Sequence, residues 1–137
     1  MGTELVVYTD GGARGNPGPA AIGFLILNQK GDELSKFGKK IGNTTNNVAE
    51  YQAVIEALLW IKNNCSTKVL KVEFNLDSKL VVNQLNGLFK IKKGHLREKI
   101  LTIRKLEQEI GGNIFYQYVP REKNTIADGL VNSSFDK

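Results

Sequence analysis

The chain has 137 residues, of which 41% are hydrophobic and 24% are charged, and these proportions are typical of one globular domain and exclude a disordered chain. Its longest apolar stretch, residues 54–61, is interrupted by Glu56, which excludes a membrane-spanning helix, and its one cysteine, Cys65, excludes an internal disulfide and fits the cytoplasm. The net charge of +5 favours a polyanionic partner only weakly, because most small basic domains bind none.

The first half of the chain predicts three strands and a helix. An apolar run at residues 5–8 predicts a strand over residues 5–9, which leads to Asp10 and a loop rich in glycine and proline. Strands at 20–27 and 33–41 follow, and the short connections predict an antiparallel meander. A helix over 48–63 then places its apolar residues on one stripe, with Glu50 in its first turn on the inward side.

The second half predicts a strand at residues 69–76, where apolar and polar residues alternate cleanly. The elements after it are a short helix, a longer helix, a strand and a final helix: 77–88, 96–110, 113–119 and from Thr125 onward. A basic segment from Lys90 to Lys99 joins the first two of these helices. It predicts either a nucleic-acid contact or a solvated helix face, and its composition alone does not decide between them.

Four carboxylates are expected to meet at one edge of the predicted sheet: Asp10, Glu50, Asp77 and Asp128. Since helical crossovers join the later strands to the meander, these strands should run parallel to the first strand. The carboxyl ends of parallel strands lie at one edge of a sheet, where ligand sites of open α/β sheets also lie. The residues that follow those strands therefore approach one another.

Each carboxylate alone has a simpler interpretation. Asp10 before a glycine is typical of a turn, and Asp77 is a good helix N-cap. Glu50 stands three residues after Asn47, which is the spacing of a capping box, and Asp128 is favourable near a helix N-terminus. The placement of all four at one edge is much less expected by chance, and it favours a functional site.

The chemistry of this cluster favours a divalent metal. Four carboxylates close together repel one another strongly unless a cation lies between them. Carboxylate oxygens are ligands for Mg²⁺ or Mn²⁺, whereas zinc is less favoured in a chain with no paired cysteines and one distant histidine, His95.

Four motifs, in order and spacing, resemble those of the type 1 ribonuclease H family. They are YTDGG (8–12) with GNPG (15–18), TTNNVAE (44–50), DS (77–78), and VPREKN (119–124) with AD (127–128). The resemblance covers nearly the whole chain. It implies one catalytic domain over residues 1–137 with an α/β, ribonuclease H-like fold: a five-stranded mixed sheet, antiparallel in strands 1-2-3 and parallel in strands 1-4-5, flanked by helices.

The family resemblance also implies an activity, which is endonucleolytic hydrolysis of the RNA strand of RNA–DNA hybrids by two Mg²⁺ or Mn²⁺ ions. The products would carry 5′-phosphate and 3′-hydroxyl ends. The implied catalytic residues and metal ligands are Asp10, Glu50, Asp77 and Asp128. The implied substrate-binding residues are Asn16, Thr45, Asn46, Asn47, Lys90, Lys92 and Lys93. We expect a monomer, and whether double-stranded RNA is also cut stays open.

Three features depart from the family pattern. Many members have a histidine in the loop before the last carboxylate, but residues 121–126 contain none. The basic segment is short and lacks tryptophan, since Trp60 lies in the first predicted helix, where we expect it in the core. Gly129 follows Asp128, and glycine costs about 1 kcal/mol in a helix, so we expect the last helix to fray.

Two other functions fit the same fold. One is a non-catalytic module that binds hybrids or double-stranded RNA, which is disfavoured because none of the four carboxylates is missing. The other is a related nuclease that processes DNA, which is disfavoured by the Thr-Asn-Asn loop at residues 45–47.

Overall fold

The computed structural model describes residues 2–65, 67–87 and 94–136, and it has a five-stranded mixed sheet with strand order β3-β2-β1-β4-β5. The strands are β1 (Gly2–Ala13), β2 (Gly18–Asn28), β3 (Glu33–Thr44), β4 (Lys68–Leu76) and β5 (Asn113–Tyr118). β2 pairs antiparallel with β1 and β3, whereas β4 pairs parallel with β1 and β5. The predicted fold class, with antiparallel strands 1-2-3 and parallel strands 1-4-5, is confirmed.

In the described residues, four helices flank this sheet: α1 (Asn46–Asn64), α2 (Lys79–Leu85), α3 (Gly94–Ile110) and α4 (Thr125–Phe135). A single 3₁₀ turn, Arg121–Lys123, precedes α4. Within the described ranges, none of the helices combines the length and the apolar character that crossing a bilayer requires.

Two glycines bring α1 and α4 against opposite faces of the sheet. A Cβ atom on Gly11 would overlap the backbone of α1 and lie 2.7 Å from the Glu50 nitrogen. A Cβ atom on Gly23 would lie 2.7 Å from the Ala127 carbonyl oxygen in α4. Gly11 pairs with Ile22, so Gly23, the next residue of β2, projects to the other face. Glu50 is thereby held directly beside β1.

The main apolar core lies between the sheet and α1. The predicted stripe of α1 is buried, with Val54 and Leu58 packed in the same cluster as Val7 of β1 and Phe74 of β4. Burying each such side chain contributes roughly 1.5–3 kcal/mol, so this face fixes the position of α1 and of its first turn. Trp60 is partly buried and packs against this cluster, as expected.

The first strand is longer than the sequence predicted. Residues 11–13, predicted as the start of a loop, continue β1 because each pairs with a residue of β2. Asp10 therefore lies inside a strand and not at its end. β3 likewise extends to Thr44, and α4 continues through Gly129 to Phe135, so the expected fraying after Asp128 is not found.

The structure rejects both capping interpretations of the candidate carboxylates. Thr45 is the N-cap of α1, where its hydroxyl oxygen accepts a hydrogen bond from the Val48 nitrogen at 3.3 Å. The capping box that ends at Glu50 is therefore wrong. Ser78 caps α2 by accepting from the Val81 nitrogen at 3.3 Å, so Asp77 is not needed as a cap.

Candidate active site

Three of the four predicted carboxylates form a tight cluster. Asp10, Glu50 and Asp77 each present an oxygen atom such that these atoms all lie within 4.8 Å of one another. They come from three elements: β1, the first turn of α1, and the residue after β4. Asp10 and Glu50 are buried, with exposed fractions of 8% and 6%. Glu50 is fixed by a hydrogen bond of 2.6 Å, which its Oε1 accepts from the Gly11 nitrogen.

The fourth carboxylate, Asp128, lies in the same cleft but outside the tight cluster. It stands in the first turn of α4 and lines a cleft of about 430 Å³ together with the other three. Its Oδ2 accepts a hydrogen bond of 3.4 Å from Asn132, one turn further along the helix. The edge predicted from the topology therefore holds all four carboxylates, three of them in direct proximity.

The electrostatics of the cluster are those of uncompensated negative charge. The pKa of Asp10 is raised from 3.8 to about 7, mainly by burial and in addition by the charges of Asp77 and Asp128. Burial, followed by the charges of Asp10 and Asp77, also raises the pKa of Glu50 well above its ordinary value. Among the described residues, no Lys or Arg forms an ion pair with any of these carboxylates. All of the donors are hard oxygen atoms, so the cluster fits a divalent cation such as Mg²⁺ or Mn²⁺.

One buried residue that the sequence analysis did not assign to the site, Asn124, connects the elements that carry the carboxylates. Its Nδ2 donates to the Thr9 carbonyl oxygen at 2.9 Å and to Asp77 Oδ2 at 3.2 Å. Its backbone carbonyl oxygen accepts a hydrogen bond from the Asp128 backbone nitrogen at 3.1 Å. Asn124 therefore couples β1, Asp77 and α4. The available signal was its place just before the last predicted helix, where asparagine is a common N-cap.

The same region contains two buried polar atoms without a partner. Within the part of the chain that the structure describes, Thr9 Oγ1 and Asn124 Oδ1 are buried and make no hydrogen bond. Such atoms are rare in folded proteins, and they collect where function rather than stability decides the residue. Asn124 hydrogen-bonds Asp77, and Thr9 is the residue before Asp10 in β1.

Two of the predicted substrate-binding asparagines tie the β1–β2 loop to the start of α1. Asn16 Oδ1 accepts from the Asn46 nitrogen at 2.9 Å, and Asn46 Oδ1 accepts from the Ala13 nitrogen at 2.8 Å. Because each amide uses its oxygen in this contact, its Nδ2 group stays available as a donor to a ligand. Both side chains are exposed.

The other predicted substrate-binding residues divide into two groups. Asn47 lines the cleft with the carboxylates, and Thr45 caps the same helix with its hydroxyl oxygen, which leaves its proton for a further acceptor. Lys90, Lys92 and Lys93 lie outside the described residues. His95 lies at the start of α3 and is exposed.

Comparison with known proteins gives a consistent result. The family model described as "Reverse transcriptase-like" matches residues 8–134. The solved structure of LC11-RNase H1 in complex with an RNA/DNA hybrid is 44% identical, with a TM-score of 0.91, and the match covers 96% of each chain. RNase H1 from the halophilic archaeon Halobacterium salinarum is 36% identical, with a TM-score of 0.88, and the match covers 97% of this chain and 98% of that one.

A third match concerns part of a larger protein. The N-terminal RNase H domain of Rv2228c from Mycobacterium tuberculosis is 36% identical, with a TM-score of 0.88, over 98% of this chain and 94% of that one. The chain spans 36% of the length of the whole bifunctional protein Rv2228c and 66% of the curated ribonuclease HI of Halobacterium salinarum. The likeness to these proteins is therefore a likeness to their ribonuclease H domains.

Proposed function

The chain belongs to the type 1 ribonuclease H family, and on that premise we propose that it hydrolyses the RNA strand of RNA–DNA hybrids endonucleolytically. The observation that carries this proposal is the cluster of Asp10, Glu50 and Asp77 in an open cleft, beside the β1–β2 loop that asparagines tie to the start of α1. A buried cluster of like charges destabilises the protein unless it binds a cation, so its presence favours a metal-dependent enzyme. We further propose that residues 1–137 act as one catalytic domain, as a monomer, in the cytoplasm.

The metal ligands in this proposal are Asp10, Glu50, Asp77 and Asp128. These residues would hold two Mg²⁺ or Mn²⁺ ions, which would supply activation of the attacking water and stabilisation of the leaving oxygen, and the products would carry 5′-phosphate and 3′-hydroxyl ends. The chain's own contribution is to fix the carboxylates before substrate binds. Glu50 is held by the Gly11 nitrogen and Asp77 by Asn124, so neither needs to reorient during the reaction.

Recognition of the hybrid belongs to the polar residues around the cleft. Asn16, in the β1–β2 loop, and Asn46, at the start of α1, offer amide donors at one side of the cleft, where the loop is held against the helix. A 2′-hydroxyl both donates and accepts hydrogen bonds, so amides at this place would distinguish RNA from DNA. We assign Asn47 to the same group, Thr45 to a phosphate of the DNA strand, and Lys90, Lys92 and Lys93 to further phosphates.

The handling of protons differs from that of family members with a histidine in the loop before the last carboxylate. The corresponding loop here carries Arg121, which lines the cleft, but no histidine. An arginine does not titrate near neutral pH, so it contributes a positive charge toward the substrate and no general base.

The test is a cleavage assay with one labelled strand presented as an RNA–DNA hybrid, as double-stranded RNA and as double-stranded DNA. We expect cutting of the RNA strand of the hybrid with Mg²⁺ or Mn²⁺ and no cutting of double-stranded DNA. Cutting that persists in excess chelator would contradict the metal mechanism. Binding of the hybrid without cutting under any metal would favour the non-catalytic module, and equal cutting of duplex DNA would favour the DNA-processing nuclease.

A further inference from the structure

One cation of the cleft has no role in the function proposed above. The Arg14 side chain is exposed and lines the cleft with Asp10. Its guanidinium carbon lies 4.2 Å from the centroid of the Phe135 ring, near the end of α4. A cation is attracted to the face of an aromatic ring even at an exposed site, so this contact gives a long side chain a preferred position.

The backbone that carries Arg14 is also fixed. The Arg14 nitrogen donates to the Pro19 carbonyl oxygen at 2.8 Å, which closes the β1–β2 loop. Two residues later, Asn16 ties the same loop to α1. Arg14 is thus held at its backbone by Pro19 and at its guanidinium by the Phe135 ring. Its N–H donors lie in the plane of the group, so contact of one face with a ring leaves them available for an anion.

Arg14 and Phe135 separate the carboxylate cleft from a second hollow. This hollow has a volume of about 390 Å³, and its lining includes Lys40 and Asn43 of β3. In the part of the chain that the structure describes, no carboxylate lines it. The cleft therefore carries four negative groups on one side of Arg14, and the hollow on the other side carries a cation and polar groups.

We propose that Arg14, positioned by Phe135, binds a backbone phosphate of the cleaved strand one or two nucleotides from the scissile phosphodiester, and that the strand continues into the second hollow. This inference rests on the proposed function. A nucleic acid strand carries one negative charge about every 3.4 Å along its axis, so a strand with one phosphate at the carboxylates presents the next ones nearby. Arginine suits this role because its planar fork binds phosphate through two parallel hydrogen bonds.

The first test measures hybrid binding in the Asp77→Asn background, in which cutting is removed, at several salt concentrations. We expect Arg14→Met to weaken binding about three- to tenfold and to reduce the slope of log K against log salt by about 0.7–0.9, the contribution of one phosphate contact. Phe135→Leu keeps the charge and removes the ring, so its loss of affinity should be smaller. Lys30→Met, an exposed lysine in the β2–β3 turn, removes the same charge and should leave both quantities unchanged.

The second test locates the phosphate. Methylphosphonate, which is uncharged, replaces one RNA-strand phosphate at a time on either side of the cut. At one or two positions, we expect the methylphosphonate to weaken binding by the protein with Arg14 as much as Arg14→Met weakens binding of the unmodified hybrid. At these same positions, the methylphosphonate should not weaken binding by Arg14→Met any further. With Asp77 intact, Arg14→Met should raise the KM for the hybrid about as much as it weakens binding, whereas Lys30→Met should keep the wild-type KM and cutting rate.

The contrary outcomes are distinct. If Arg14→Met lowers the melting temperature while affinity and salt slope stay at the values of the unchanged chain, the residue only fastens α4 and the inference is overturned. The same holds if affinity falls equally for Lys30→Met, or if no methylphosphonate position depends on residue 14. A chain that neither binds nor cuts the hybrid contradicts both this inference and the proposed function, whereas active cutting without an effect at Arg14 overturns this inference alone.

Discussion

The chain has two partly buried clusters of titratable groups with opposite organisation. The first is the carboxylate cluster of Asp10, Glu50 and Asp77, which holds one sign of charge. The second, between α3 and β5, joins Arg104, Glu107 and Tyr116. There Arg104 donates to both oxygens of Glu107, at 3.0 and 2.8 Å, and the Tyr116 hydroxyl donates to Glu107 Oε2 at 2.6 Å.

The difference shows which of the two clusters serves folding. In the Arg104 cluster each charge has an opposite partner, and Arg104 also donates to the Leu85 carbonyl oxygen, so α2, α3 and β5 are held together. In the carboxylate cluster, burial and neighbouring charges oppose ionisation. A protein retains such a cluster at the expense of stability when a ligand compensates it, which here is the proposed metal.

The largest expected effect that separates the clusters is on cleavage. Asp77→Asn replaces a charged ligand by a neutral amide of almost the same shape, so single-turnover cleavage of the hybrid should fall by several orders of magnitude. Glu109→Gln, on the exposed side of α3, should keep the wild-type rate, because among the described residues Glu109 pairs with Lys62 and not with the carboxylate cluster. Substantial activity in Asp77→Asn would remove Asp77 from the site.

How far sequence reasoning reached differs along the chain. The positions of Asp10 and Asp77 followed from strand order, because the carboxyl ends of parallel strands share an edge. The hydrogen bond between Asn124 and Asp77 could not be predicted from the sequence. It joins residues 47 positions apart through side-chain geometry that no local pattern encodes. The true length of β1 was also missed, since glycine composition predicts a loop whereas pairing with β2 keeps residues 11–13 extended.

The next effect is on the pH dependence of metal-free stability. In the unfolded chain Asp10 loses its proton near pH 3.8, whereas in the folded protein it keeps the proton to about pH 7. Its contribution to stability is therefore present at low pH and is lost as the pH rises toward 7. Urea unfolding should give a free energy about 2–3 kcal/mol lower at pH 8 than at pH 5.

The matched variants for this pH experiment are Asp10→Asn and Glu109→Gln. Between pH 5 and pH 8 the free energy of unfolding should fall much less in Asp10→Asn than in the wild type, and the fall that is left should come from Glu50. In Glu109→Gln the fall should be as large as in the wild type. An equal fall in all three proteins would show that the carboxylate cluster does not control the pH dependence.

A smaller effect on stability is expected in the Arg104 cluster, where removal of a charge should destabilise the protein. Glu107→Gln removes the charge that pairs with Arg104 and weakens the hydrogen bond from Tyr116, so the free energy of unfolding should fall by about 1–2 kcal/mol. Glu109→Gln, two residues along the same helix, should change it by less than about 0.5 kcal/mol. Urea unfolding of both variants measures this, and equal values would mean that the Arg104 cluster adds no stability.

The smallest effect concerns the fourth carboxylate. Asp128 stands outside the tight cluster and is half-buried, so Asp128→Asn should relieve less repulsion than Asp77→Asn and stabilise the metal-free protein by only a few tenths of a kcal/mol. The rate at which Asp128→Asn cleaves the hybrid should still fall strongly. A gain in stability as large as that of Asp77→Asn would place all four carboxylates in one equivalent set.

The most direct test of the carboxylate cluster as a metal site is the melting temperature of wild type and Asp77→Asn, each without metal and with Mg²⁺. Without metal, Asp77→Asn should melt higher, by on the order of 1 kcal/mol or about 4 °C, because one of three crowded charges is gone. Mg²⁺ should raise the wild type more than the variant and so reduce this gap. If the metal-free variant melts at or below the wild-type temperature and Mg²⁺ shifts neither protein, the cluster is not a metal site.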